Sequence, residues 1–278
     1  MNAGMPAYLD VAPDALGKGT PVKVRIGGDA DALAEDMAQA MLTEIRAKAA
    51  ATLIVPVGPV GQFPILAEMI NRQHVDCRDL CLINMDEYLD DSDEWIDEDH
   101  PLSFRGFMNG LFYDRLNPEL APHHQNRIFP DPADCDAIQQ LIDHRGGVDA
   151  CFGGIGINGH IAFNEPPEAG EEMSNDQFAR LPTRSLNLTR ETRTINSVTV
   201  GGEIAVIPKR AVTVGMMECL AAKKLRFYCN RPWQSAVVRR VLHGPITPAC
   251  PASFLRTHAD AEIVVADYVA AKPDIRLR

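Results

Sequence analysis

The stretch VDACFGGIGINGHIAFNEPP, residues 148–167, decides how this chain is read. It opens on an apolar run, Val148 to Phe152, with the length and composition of a buried strand. Glycines follow at 153, 154, 156 and 159, where the backbone can turn through positive φ and bring its N–H groups close to a ligand. Directly after them come a titratable imidazole, His160, and a carboxylate, Glu165, set between Asn164 and Pro166. A strand that ends in a glycine turn and delivers His and Glu is how an open α/β sheet builds a site at its carboxyl edge. The glycines alone carry little, since an ordinary strand–turn with a satisfied histidine has them too.

Outward from this stretch, the chain alternates strand and helix patterns. VKVRIG (22–27) alternates apolar and polar residues and predicts a strand. Leu33, Met37, Ala40, Met41 and Ile45 recur at helical spacing, with Asp29 and Asp31 at the start. ATLIVPVG (51–58) predicts a buried strand, followed by a glycine turn and a helix over 65–71. LCLINM (80–85) predicts a third strand that ends on Asp86-Glu87-Tyr88. The acidic loop LDDSDEWIDED (89–99) should be solvated, and it lacks the glycine turn and terminal Glu of a calcium loop. Phe104, Phe107, Met108, Leu111 and Phe112 form a helical stripe of core residues, and a further helix is expected over 135–144. Strands are expected at SLNLT (185–189), AVTVGM (211–216), LRFYC (225–229) and IVVADY (263–268), with a helix near 233–242.

This alternation predicts a mostly parallel sheet covered on both faces, a Rossmann-like three-layer α/β/α sandwich. A chain of 278 residues can bury one large core, so one domain over 1–278 is expected, with an irregular arm at 1–20. The polar, Pro- and Gly-bounded segment 166–182 is a candidate lid.

Composition narrows the function. The formal net charge is −11, which argues against nucleic acid or an anionic membrane as partner. No apolar stretch has membrane-spanning length, and residues 1–5 lack signal-peptide character. Seven scattered cysteines without a C-x-x-C pair read as small core residues of a cytoplasmic protein. The histidines are dispersed without ligand spacing, so neither a metal nor another cofactor is expected.

GIGINGHIAFNEP (154–166) resembles the signature of the glucosamine-6-phosphate deaminase (isomerase) family, and NMDEY (84–88) resembles that family's other catalytic motif. The resemblance covers most of the chain from the second strand onward. It implies the fold shared by these deaminases and the 6-phosphogluconolactonases. It also implies an aldose–ketose isomerisation of an amino sugar, with loss of ammonia.

Asp86 would then take a proton from C2 of the open-chain sugar and return it at C1. Read without the resemblance, a strand-end Asp is more often a turn or helix cap than a base. His160 would open the sugar ring, oriented by Glu165 and Asn158. Gly58, Gly61, Glu87, Gly154, Gly156, Gly159 and Arg193 are the expected substrate contacts. The partner is a small amino sugar or sugar phosphate, and a homo-oligomer is possible.

Departures from the family pattern cluster in two places. Asn158 stands where many members carry Asp, and an amide cannot stabilise an imidazolium by charge. The phosphate grip implied by the resemblance is altered three times. The loop after the second strand reads PVGPVGQF (56–63), without hydroxyls and with Pro59, which has no N–H. Asn196-Ser197 is followed by Val198 rather than Arg, and Gln234 stands where the family has Lys. Lys209, Arg193 and Arg231 lie nearby in sequence. Two other readings remain open at this level: a sugar-phosphate lactonase, which shares a G-x-G-x-x-G-H turn, and a non-catalytic sugar-binding regulator.

Overall fold

In the computed structural model, residues 4–58, 61–168 and 170–275 are described. The strands are β1 (Lys23–Ile26), β2 (Thr52–Val55), β3 (Cys81–Asn84), β4 (Asp86–Leu89), β5 (Arg127–Ile128), β6 (Ala150–Gly153), β7 (Arg184–Asn187), β8 (Arg210–Thr213), β9 (Leu225–Cys229) and β10 (Ala261–Val265). The helices are α1 (Ala30–Ala47), α2 (Gln62–Arg72), α3 (Phe104–Leu111), α4 (Asp136–Arg145), α5 (Asn175–Ala179), α6 (Arg190–Asn196), α7 (Met216–Leu220), α8 (Gln234–His243) and α9 (Asp267–Ala270).

β2, β3 and β6 are buried at every residue, which is why they read as unbroken apolar runs: helices cover both faces. They belong to a seven-stranded, all-parallel sheet of order β1-β10-β9-β6-β2-β3-β5. The edge strand β1 is largely exposed, with only Val24 partly covered and Ile26 open to solvent. The expected α/β sandwich is what the chain builds. From β2 the chain steps outward to β3 and β5, then returns to β6 on the other flank of β2. The order reverses between β2 and β6, and there the loops leaving the carboxyl ends diverge into a crevice.

Three expectations change. The third strand does not run into Asp86. It ends at Asn84, Met85 bridges, and Asp86 opens β4 in a separate antiparallel sheet of order β4-β8-β7. Stretches 185–189 and 211–216 therefore pair with each other, and the second of them with β4, rather than joining the parallel sheet. A small second core of Tyr88, Ile96, Phe163, Leu188, Ile207 and Ala211 explains the split, because these side chains pack together away from the main core. The acidic loop is solvated only in part. Asp90–Glu94 are exposed, but Leu89 bridges to Trp95 and Ile96 is buried in that second core.

The N-terminal arm is held by a buried arginine on α8, alongside a Lys272–Asp10 ion pair and the burial of Leu16. Arg239 on α8 is 0% exposed, and its guanidinium donates to the carbonyls of Val11, Ser235, Val269 and Ala270 and to Ser235 Oγ. The candidate lid is anchored in its second half: α5 starts with a Ser174–Gln177 capping box, and buried Phe178 stacks on Phe254. Six of the seven cysteines are buried and Cys135 is partly so, all as free thiols. Among the described residues, no helix is long and apolar enough to cross a membrane.

Candidate active site

Because β2, β3 and β6 run parallel, the segments that follow them emerge at one edge. These are the loop from Gly58, the Met85–Asp86 step and the loop 154–165. β8 stitches the last two together. Val214 N–H donates to Met85 O at 2.7 Å, and Thr213 is the register partner of Asp86. Phe163 N–H donates to Thr213 Oγ1 at 2.9 Å, and Asn164 Nδ2 donates to Val214 O at 2.9 Å. The rings of Tyr88 and Phe163 lie 5.5 Å apart, and those of Phe163 and His160 lie 6.0 Å apart. Two residues far apart in sequence, Asp86 and His160, thus sit on one framework.

Asp86 is 7% exposed, and no donor among the described residues reaches its carboxyl. Burial pushes that carboxyl well above the usual carboxylate range, and the charge of Glu87 beside it adds to the shift.

Glu87 points the other way. It is 0% exposed, and its oxygens accept from the backbone N–H groups of Tyr88, Phe104 and Arg105, from Ser103 Oγ and from Arg105 Nε. It secures the start of α3. Glu87, expected among the substrate contacts, has its oxygens filled by protein donors.

The His160 loop is a set of interlocking bonds. Asn158 Nδ2 donates to Glu165 Oε2 at 2.6 Å, and Asn158 Oδ1 accepts from His160 N–H at 3.1 Å and lies 3.0 Å from His160 Nδ1. An ionised carboxylate only accepts, so the amide nitrogen must face Glu165 and the amide oxygen must face the ring. That orientation requires Nδ1–H, and it leaves Nε2 as the ring nitrogen facing away from Asn158. Nε2 has no hydrogen-bond partner among the described residues. Glu165 Oε2 lies 3.4 Å from Nδ1, and Glu165 Oε1 accepts from Thr189 N–H at 3.2 Å. Burial alone would raise the Glu165 carboxyl. The hydrogen bond and charge of His160, with contacts from Thr192 and Asn158, outweigh it and hold the group at about 2.

The glycines serve this geometry. A Cβ at Gly156 would lie 2.0 Å from His160 Nε2, so only glycine fits under the ring. Gly159 has φ +92°, and a Cβ there would meet Cys250 Sγ at 2.7 Å. Gly154 is half-buried in the same turn, and the turn Ile161–Asn164 closes with Ala162 at φ 52°. Gly58 is exposed beyond β2, and Gly61 caps α2 at φ 113°. Pro59 and Val60 lie outside the described residues.

Arg193 is not brought to this framework as a free cation. Arg193, expected as a substrate contact, donates through Nε and Nη2 to the carbonyls of Ile207 and Ile204 and so clamps its own loop. Gln234 is buried: its Nε2 donates to Ile155 O at 2.7 Å and its Oε1 accepts from Arg231 N–H at 2.7 Å. Val198 is 69% exposed. Thr189 and Thr192, which touch Glu165 and His160, were not legible as site residues, because their only signal is a helix cap 24 to 32 positions away. Among the described residues no group of His, Cys, Asp and Glu is arranged to hold a metal ion. A cleft of about 600 Å³ opens between the 167–177 segment and residues 247–249, and neither Asp86 nor His160 lines it.

No family model matches the chain. A glucosamine-6-phosphate deaminase of Lachnoclostridium phytofermentans is 30% identical over 208 residues, which covers 74% of this chain and 82% of the relative. The chain belongs to the glucosamine-6-phosphate deaminase family. A second such deaminase, of Cellvibrio japonicus, is 30% identical over 259 residues, 90% of this chain and 91% of the relative. The solved structure of a monomeric glucosamine-6-phosphate deaminase superposes with a TM-score of 0.78 at 26% identity, over 91% of this chain and all of that one. A 6-phosphogluconolactonase of Trypanosoma brucei shares the fold, with a TM-score of 0.63 at 13% identity over 91% of this chain and 98% of its own. Asn158 and Gln234, two of the positions that depart from the expected pattern, are hydrogen-bonded within the protein, and Val198 is exposed.

Proposed function

We propose that this protein isomerises and deaminates an amino sugar: amino sugar and water give ketose and ammonia. The single observation that carries the reading is that the NMDEY and GHIAFNEP segments meet at one sheet edge through Thr213, which pairs with Asp86 and bonds to Phe163. His160 Nε2, unprotonated while Nδ1 carries the proton, takes the anomeric hydroxyl proton and delivers one to the ring oxygen, so the sugar opens. Asp86 removes the proton from C2 of the open-chain aldose and returns it at C1. The product is a 2-imino sugar, and water then displaces ammonia from C2. A base that must also give its proton back works best when both protonation states are accessible, and a carboxyl raised by burial suits that role. Glu165 remains the anion that steadies the imidazolium formed in between.

The reading extends to the substrate. A phosphate carries nearly two negative charges and needs dense donors or cations when it is enclosed. Here Gln234 is committed to Ile155 and Arg231, Arg193 to two carbonyls, and Val198 offers no charge. The preferred substrate is therefore an amino sugar held without the usual phosphate grip. Losing two charge-assisted hydrogen bonds at about 1.5–3 kcal/mol each weakens affinity roughly a hundredfold or more. Steady-state kinetics on glucosamine 6-phosphate beside glucosamine and other amino sugars tests both parts. Ammonia release from none of them overturns the reaction, and a micromolar KM for the phosphorylated sugar overturns the substrate preference.

A further inference from the structure

His160 Nδ1 has an oxygen neighbour that comes from outside its own loop. Thr192 Oγ1, in the first turn of α6, lies 3.2 Å away, and Thr192 is 0% exposed. The bonding of this hydroxyl follows from its surroundings. The orientation of the Asn158 amide makes Nδ1 a donor, so Thr192 Oγ1 shares the single Nδ1–H with the nearer Asn158 Oδ1. The Thr189 hydroxyl donates to Thr192 Oγ1 at 3.2 Å, which fills the second lone pair. Thr192 also helps to hold the charge of Glu165.

The imidazole and the carboxylate are thus joined twice by neutral groups, through the Asn158 amide and through the Thr192 hydroxyl. The two differ in what holds them. Asn158 belongs to the same glycine-rich turn as His160, so it moves with the ring. Thr192 belongs to a helix. At the other end of that helix, Asn196 Nδ2 donates to the Tyr88 hydroxyl at 3.0 Å, and Tyr88 lies two residues from Asp86 on β4. α6 therefore spans from the His160 ring to the strand that carries Asp86.

We propose that Thr192 is a positioning residue for His160: its buried hydroxyl fixes the ring from outside the glycine turn, and α6 sets that ring relative to Asp86. A reactive group carried on a turn gains from such outside support, because small misplacements at the reacting atoms cost large factors in rate. The kinetic part of the proposal rests on the amino-sugar reading, whereas the spectroscopic part does not.

The test uses the full chain with Thr192→Val, which keeps the shape and removes the hydroxyl, and Thr192→Ser, which keeps the hydroxyl. Proton-detected nitrogen NMR on histidine-labelled protein reads the Nδ1-bound proton of His160. Thr192→Val should broaden or remove that resonance through faster exchange, lower kcat by about tenfold and leave KM within about twofold. Thr192→Ser should restore both. Should Thr192→Val fail to fold, Thr192→Ala carries the same readouts. A resonance and a kcat unchanged in the valine variant, or a serine variant as impaired as valine, overturns the proposal. If the wild-type chain turns over no amino sugar, the functional reading fails while the resonance still decides the role of Thr192.

Discussion

Gly156 lies directly beneath the His160 ring, so closely that a Cβ there would sit 2.0 Å from Nε2. The contact is with the one ring nitrogen that no protein group occupies, so any side chain at 156 moves the nitrogen assigned to the sugar. Gly156→Ala should lower kcat/KM by about a hundredfold or more, since a displacement of about 1 Å at a reacting group has that order of effect. The melting temperature should fall by only a few degrees, because the turn is half-buried and the ring can rotate outward. Comparable activity in the alanine variant would mean that Nε2 does no chemistry.

Asp86 is held in a place that suits its neutral form. Its folded carboxyl is raised by burial and by Glu87, so the stability it contributes is full below the ordinary carboxylate range and declines as pH rises toward the folded value. Asp86→Asn removes this loss. The variant should melt higher than wild type at pH 7 to 8, the gap closing toward pH 4, while solvent-deuterium exchange at C2 of a bound amino sugar is abolished. A variant that melts lower at neutral pH contradicts the placement, and undiminished exchange contradicts the role.

Asn158 presents its nitrogen to Glu165 at 2.6 Å, so Asn158→Asp places two carboxylates in contact. Added negative charge beside the imidazole favours its protonated form, and the turnover profile should move to higher pH with the same product. Glu165 gives the complementary readout. Its carboxyl is held at about 2, so its stabilisation is present above the ordinary carboxylate range and fades as pH falls toward 2. Glu165→Gln should flatten the acid side of the stability curve between about pH 4.5 and 2. An acid limb as steep as that of wild type would remove Glu165 from the network.

Arg239 ties residue 11 to α8 and the start of the C-terminal segment using backbone carbonyls and one serine hydroxyl, with no carboxylate partner. Arg239→Met should cost about 3–5 kcal/mol, because several buried carbonyls lose their donor together. Residues near 11 should become sensitive to limited proteolysis before the rest of the chain unfolds. Resistance equal to wild type would show that the arm is held by other contacts.

How far the sequence reached depends on what its patterns encode. Apolar runs such as TLIV and CLIN state that both faces of a strand are buried, and they gave the parallel sheet. The motif around His160 could be read because its residues act within one turn, so their spacing in sequence is their spacing in space. By itself, then, the sequence determined the α/β class, the strands at the centre of the sheet and the identity of Asp86, His160 and Glu165 as candidates.

Tertiary structure decided the rest. Short half-polar strands such as RSLN and RAVT give no sign of their partner, and only the second core around Tyr88 and Phe163 draws them into a separate antiparallel sheet. Glu87 and Arg193 are charged residues within or beside site motifs, yet their partners, the start of α3 and the carbonyls of 204 and 207, lie 11 to 18 residues away. Thr192 reaches His160 across 32 residues. Periodicity and composition record which side of an element is buried. They do not record what is buried against it, and that pairing assigns each polar group either to the scaffold or to the chemistry.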